Sequence, residues 1–282
     1  MERKWSEVPF GKLWDTRLRV GQRVLEVSVL VPKHGSVLGT IVEAPGMTAK
    51  RRCYAALSNE YARRGWATVS LAHQDASGCY SDEVAAALDE VVNDRSLPRY
   101  GERLVAQGHS KGAINVVQAL YDEPSRADYA LLMMPAGLGG VGLARAPLAL
   151  VHAPVGVTRE VAYIAASREI ADDAKAVVRE AGIYVARSPL RTARLALDAM
   201  RTKVQREARE LIESGVPVGV VLGRDDGLIH HDTVKQQCEI LGIPTVSLAA
   251  PYAGHNAQMY GPGVVAEATM SLIGNEPLRK TA

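Results

Sequence analysis

The sequence predicts an α/β protein: a mostly parallel central sheet with helices on both faces. Three observations carry that reading. Short apolar, β-branched runs alternate along the chain with segments of helical period. Most of these runs are continuous rather than alternating, as strands covered on both faces are. Gly and Pro stand where strands and helices should stop. With 282 residues, the chain can bury a sizeable core without disulfide or metal staples.

The elements follow in order. Leu18–Val20 and Arg23–Pro32 read as early strands around a turn at Gly21, and Gly39–Glu43 is a short apolar run that ends in the loop Pro45-Gly46. Arg51–Arg64 has helical period and stops at Gly65; Trp66–Leu71 is the next strand. Ser81 can cap a helix over Asp82–Val92. Arg103–Gln107 is a strand, Gly112–Tyr121 a helix halted before Pro124, and Tyr129–Met134 the sixth strand. Val216–Leu222 and Thr245–Ala249 complete the sheet, separated by a helix from Asp232 to Leu241 with Gly242 as its stop. Gly263–Leu272 closes the chain as a helix.

One gap breaks this rhythm. Met134 and Pro217 are 83 positions apart, far beyond the dozen or so residues that a parallel crossover needs. Two helical stretches fit inside, Arg159–Glu180 and Ser188–Ser214. The expected division is a core of residues 1–135 and 195–282, with a helical cap inserted at 136–194 after the sixth strand.

Composition narrows the function classes. Lys+Arg 33 against Asp+Glu 31 gives a net charge of +2, which offers no reason to expect a nucleic-acid or anionic-membrane partner. At 47% hydrophobic and 23% charged residues, the chain is not a disordered one. Three cysteines, Cys53, Cys79 and Cys238, cannot form a disulfide framework and point to a reducing cytoplasm. The first residues, Met-Glu-Arg-Lys-Trp-Ser-Glu, lack the apolar run of a signal peptide. The most apolar stretch, Tyr129 to Val157, is broken by Gly137, Gly139, Gly140, Gly142, Pro135, Pro147 and Pro154, so no membrane span is expected. A small-molecule substrate is the expected partner, and homo-oligomerisation stays open.

Gly108-His109-Ser110-Lys111-Gly112 fits G-x-S-x-G. Composition alone would produce about 0.1 such strings in a chain like this, so context must supply the weight. A strand leads in and a helix leads out. So tight a strand-to-helix turn puts Ser110 in a strained conformation at the strand's carboxyl end, with no room for side chains at Gly108 and Gly112. The hydroxyl then lies at a helix N-terminus, where developing negative charge is favoured. A serine needs a base to act as a nucleophile. Two later segments provide candidates: Gly223-Arg224-Asp225-Asp226-Gly227 after one strand, and Gly254-His255-Asn256 after the last.

Over nearly its whole length the chain resembles the α/β-hydrolase superfamily. The resemblance is carried by the Gly46-Met47 turn after an early strand, the elbow at Ser110, the Gly223-x-x-Asp226 turn, the late Gly254-His255, and the order Ser, Asp, His. It implies Ser110 as nucleophile, His255 as general base and then acid, and Asp226 as the carboxylate that orients it. In that family turn the acid stands three residues after the glycine, which favours Asp226 over Asp225. The implied oxyanion hole is the backbone N–H of Met47 with that of Lys111, and neither cofactor nor metal is implied. The sequence departs from the family pattern at Pro45-Gly46, where His-Gly is common, and at Lys111, where an apolar or amide side chain is more usual; a cation there could contact an anionic group of the substrate.

The implied activity is cleavage of an ester or related acyl bond through an acyl-enzyme. The same triad serves thioesterases, lactonases, perhydrolases, C–C hydrolases and acyltransferases, and the sequence does not choose among them. Two readings of other classes compete. Gly137-Leu138-Gly139-Gly140-Val141-Gly142 is a literal G-x-G-x-x-G after a strand, with Glu160 18 residues beyond, the outline of a dinucleotide fingerprint. Pro147 follows too soon for a long helix to start at these glycines, and no clean strand ends at Glu160. The other is a non-catalytic ligand-binding module on the same fold. His230-His231-Asp232 has metal-binding residue types, but adjacent histidines do not share a helix face, and Asp232 suits an N-cap.

Overall fold

A computed structural model describes residues 5–47, 51–73, 80–139 and 201–274, together with 187, 190, 194 and 197–199. The helix expected over Arg159–Glu180, nearly all of the expected cap, most of the glycine-rich segment beyond Gly139, and Cys79 lie outside the described residues.

Nine strands form one sheet in the order β1-β2-β3-β5-β4-β6-β7-β8-β9. They are β1 Trp5–Val8, β2 Gly11–Val20, β3 Arg23–Pro32, β4 Gly39–Ala44, β5 Trp66–His73, β6 Arg103–His109, β7 Tyr129–Met133, β8 Val218–Gly223 and β9 Thr245–Leu248. The first three pair antiparallel as a meander and β3 pairs antiparallel with β5. Every pairing from β5 through β4 to β9 is parallel. The central strands are apolar without alternation because both faces are covered: every residue of β4, β7 and β8 is buried.

Among the described residues the α-helices are α1 Ala55–Arg63, α2 Ser81–Val92, α3 Lys111–Asp122, α4 Gln205–Glu213, α5 His231–Leu241, α6 Ala257–Tyr260 and α7 Pro262–Gly274. They divide between the faces, and successive side chains of a strand supply opposite cores. On β7, Ala130 and Leu132 join Leu88, Val117, Leu120 and Leu211 from α2, α3 and α4. Tyr129, Leu131 and Met133 join Leu57, Tyr61, Val265 and Leu272 from α1 and α7 on the other side. Cys238 is buried in the first core and Cys53 in the second. Among the described residues no helix is long and apolar enough to cross a membrane.

Several boundaries differ from expectation. β2 begins at Gly11, and β1 precedes it. The helix over Arg51–Arg64 opens with a 3₁₀ turn at Arg51–Tyr54. Tyr80, not Ser81, is the N-cap of α2, because the Glu83 carboxylate reaches back to accept the Tyr80 N–H at 2.9 Å. His230, not Asp232, caps α5, and Asp232 falls in its first turn. The expected helix 188–214 is interrupted at 202–204, where the buried Val204 donates its N–H to Gly137 O at 3.2 Å. Ala136 and Leu138 are also buried against the sheet.

The sheet order locates the site. β5 lies on one side of β4 and β6 on the other, so the chain reverses its direction of travel at the β4–β6 pair. The crevice at the carboxyl ends of such a pair is where α/β sheets bind ligands. Those ends deliver Pro45-Gly46-Met47 from β4 and Ser110 from β6.

Candidate active site

Ser110 follows the last residue of β6 and is the N-cap of α3, with φ 53° and ψ −118°. That backbone is strained for a residue with a side chain, and its surroundings hold it there. Its N–H donates to Met133 O at 2.9 Å, and its carbonyl accepts from Ala113 N and Ala136 N, each at 3.1 Å. Gly112 lets α3 press on the end of β4: a Cβ there would lie 2.2 Å from Ala44 O and 2.8 Å from Pro45 O. A Cβ on Gly108 would lie 2.5 Å from Ala113 Cα. Both glycines of the elbow are therefore required by backbone contacts.

The turn after β4 packs directly on the elbow. A Cβ on Gly46 would lie 3.0 Å from His109 Nδ1 and 3.1 Å from Ser110 Cβ, and the Gly46 N–H donates to the Tyr54 hydroxyl at 3.2 Å. Met47, half-buried, comes next in that turn. Lys111 is the first residue of α3, so its N–H is one of those a helix leaves without an intrahelical acceptor. Its ammonium lies 4.7 Å from the centre of the Tyr80 ring, and the Arg23 guanidinium lies at the same distance from that ring.

Asp226 and His255 meet across two loops. His255 Nδ1 lies 2.7 Å from Asp226 Oδ2, with the side chains 6% and 2% exposed respectively. A carboxylate accepts, so Nδ1 carries the proton and the other ring nitrogen, Nε2, is left to accept one. Asp226 Oδ1 accepts the N–H groups of Leu228 and Ile229 at 2.8 and 2.9 Å. Gly223 brings the two loops together: a Cβ there would lie 2.2 Å from Ala253 O. The N–H of Arg224 donates to Leu248 O and that of Asp225 to Ala253 O. Asp225 itself is exposed.

The structure thus joins Asp226 to His255 and seats the Met47 turn over Ser110. His109, which sequence reasoning treats as the variable position of the elbow, lies among all of these pieces and is 2% exposed. Its signal in the sequence is that it ends a strand buried nearly throughout; a polar side chain there must find a partner. Tyr54 is the other residue that the motifs do not indicate. His230, His231 and Asp232 do not come together as a trio: His231 meets Asp232 and Ser247, while His230 meets Thr233. Among the described residues no group of three or more His, Cys, Asp or Glu could hold a metal ion.

No family model matches the sequence, and no curated protein does. Solved structures match its fold. The α/β hydrolase MGS-M2 from a Medee basin deep-sea metagenome library superposes with a TM-score of 0.64 at 14% identity, over 95% of this chain and 100% of that one. The carboxylesterase CesB from Bacillus subtilis gives 0.61 at 14% identity, over 98% and 92%. Est816, an N-acyl homoserine lactone degrading enzyme, gives 0.64 at 14% identity, over 91% and 99%. The chain therefore has the fold of these α/β hydrolases.

Proposed function

We propose that the protein is a serine hydrolase that cleaves an ester or related acyl bond of a small, largely apolar substrate. The observation that carries this reading is the buried His255–Asp226 pair, 2.7 Å apart, on loops that border a serine at φ 53°. In this reading His255 Nε2 takes the Ser110 proton as Oγ attacks the acyl carbon. The N–H groups of Met47 and Lys111 hold the negative oxygen of the tetrahedral intermediate. The C–O bond to the leaving group breaks as His255 returns the proton to that oxygen, leaving an acyl-Ser110. Water, deprotonated by His255, attacks the acyl-enzyme and releases the acid. Asp226 keeps the proton on Nδ1 throughout. The esterase and lactone-degrading neighbours support acyl chemistry on this fold; thioester, lactone and other leaving groups fit the same steps.

The test is covalent labelling. A fluorophosphonate should add once, on the peptide that contains Ser110, and Ser110→Ala should abolish the adduct in intact-mass spectra. Labelling elsewhere, or none in folded protein, overturns the reading in favour of a binding module.

A further inference from the structure

His109 ends β6 directly before the nucleophile, and its ring is buried between the functional loops. Nε2 lies 2.9 Å from the main-chain oxygen of His255. A carbonyl can only accept, so Nε2 carries the proton and donates. Burial above all, with His255 as the next cause, pushes its pKa down to about 3, so the ring is neutral and this tautomer persists across the neutral range. The ring faces that of His255 with centroids 4.9 Å apart and a tilt of 46°. On another side Tyr54 meets it edge-on at 6.2 Å, the same Tyr54 whose hydroxyl accepts the Gly46 N–H. Nδ1 is buried without a hydrogen-bond partner among the described residues and faces Gly46.

This placement answers a mechanical need. His255 sits in an irregular stretch between β9 and α6. Asp226 holds its ring at Nδ1, and where that ring sits also depends on the main chain that carries it. A tether on the main chain of the same residue fixes that carrier.

We infer that His109 is a positioning residue: its Nε2–H fixes the His255 main chain and its ring backs the His255 ring, so that the base keeps Nδ1 on Asp226 and presents Nε2 to Ser110. This rests on the proposed serine-hydrolase reading. Displacement of a reacting group by about 1 Å costs on the order of 10²-fold in rate, which sets the scale of the expected effect.

Three variants separate the two nitrogens and the ring. In His109→Gln the side-chain amide N–H reaches the place of Nε2–H. In His109→Asn it reaches only the place of Nδ1. His109→Phe keeps a ring with no donor. The measurements are the second-order rate of fluorophosphonate labelling at Ser110, kcat and KM for p-nitrophenyl butyrate, the thermal midpoint, and the downfield proton resonance of His255 Nδ1–H. The Phe and Asn variants should lose about 10- to 100-fold in labelling rate and kcat with KM little changed, and the resonance should broaden. The Gln variant should recover most of that loss and keep the resonance sharp. Should Phe not fold, the Gln–Asn contrast carries the same information. A Gln variant no better than Asn overturns the inference, as does a lowered thermal midpoint with labelling and resonance like the parent's. If the parent protein itself is not labelled at Ser110, the hydrolase reading fails, and the His255 resonance across the three variants still decides whether His109 positions that ring.

Discussion

Replacing Glu43 by Gln should make the protein more stable at pH 8 while leaving it nearly unchanged at pH 4.5. Glu43 lies on β4 and is 1% exposed. Ser58 Oγ donates to its Oε2 at 2.8 Å, Ser70 Oγ donates to the same oxygen, and Gln107 Nε2 reaches Oε1 at 3.4 Å. Tyr61 then donates to Gln107 Oε1 at 2.7 Å and meets Thr269 Oγ1 at 3.0 Å. Among the described residues no cation pairs with this carboxyl. Burial therefore dominates and raises its pKa from 4.5 to about 7, against the pull of the three donors. Between those two values the unfolded chain has lost the proton and the folded one has kept it. Stability from this group is complete below about pH 4.5 and is lost as the pH rises through about 7. At about 1.4 kcal/mol per pH unit, the loss by pH 8 is about 3 kcal/mol. Gln has the same shape and does not titrate, so the variant escapes that loss. Urea unfolding of both proteins at pH 4.5, 6, 7 and 8 measures the difference, in which all other titrations cancel. A difference that stays flat across this range would refute the reasoning, because Glu43 would then titrate alike in both states.

Asp226→Asn should reduce kcat on the order of 10⁴-fold, since an amide at Oδ2 no longer holds the proton on His255 Nδ1. Asp225→Asn should retain most activity, because the exposed Asp225 takes part through its main-chain N–H, which the substitution leaves in place; kinetics of the two variants side by side check this, and the reverse ranking overturns the assignment. Along a p-nitrophenyl series from acetyl to hexanoyl, kcat/KM should rise by up to about fourfold per methylene, about 0.8 kcal/mol each. That expectation rests on the apolar segment Met133 to Val157, of which Met133, Met134, Ala136 and Leu138 are buried and the residues beyond Gly139 lie outside the described part. A flat or falling series refutes it and makes Lys111, tested against anionic esters, the next residue to examine.

The central strands were legible because their burial leaves a one-dimensional trace. Gly39–Glu43, Trp66–Leu71, Arg103–Gln107 and Tyr129–Met134 are mostly apolar and buried on both faces almost throughout, and the structure moves their ends by only one or two residues. The edge of the sheet was not legible in this way. β2 runs ten residues beside β3, yet it carries the exposed Asp15, Arg17 and Arg19 on one face and the exposed Lys12 on the other, and its apolar content alone reads as the three residues Leu18–Val20. Its length is set by the cross-strand ladder, which appears only once β3 is in place. The same applies at 202–204, where the bond from Val204 to Gly137 O overrides helical propensity that runs on through the local sequence.

The site divides along the same physical line. Ser110, Asp226 and His255 each stand in a turn at a strand's carboxyl end, and such a turn is written locally in glycines: Gly108 and Gly112 around one, Gly223 before another, Gly254 before the third. The parallel pairing of β6, β7, β8 and β9 then opens all three turns at one end of the sheet, so the local spelling locates the turns. His109 obeys no such spelling. The elbow motif asks only that its position hold some side chain, and the demand for a neutral donor comes from the His255 carbonyl, 146 residues away in sequence. Tyr54 is similar, since its role is set by the Gly46 N–H that the β4 turn happens to aim at it. Residues that make a turn can be read from the turn. Residues that hold two turns together belong to the packing between distant segments, and in this molecule His109 and Tyr54 are buried side chains that no motif marks.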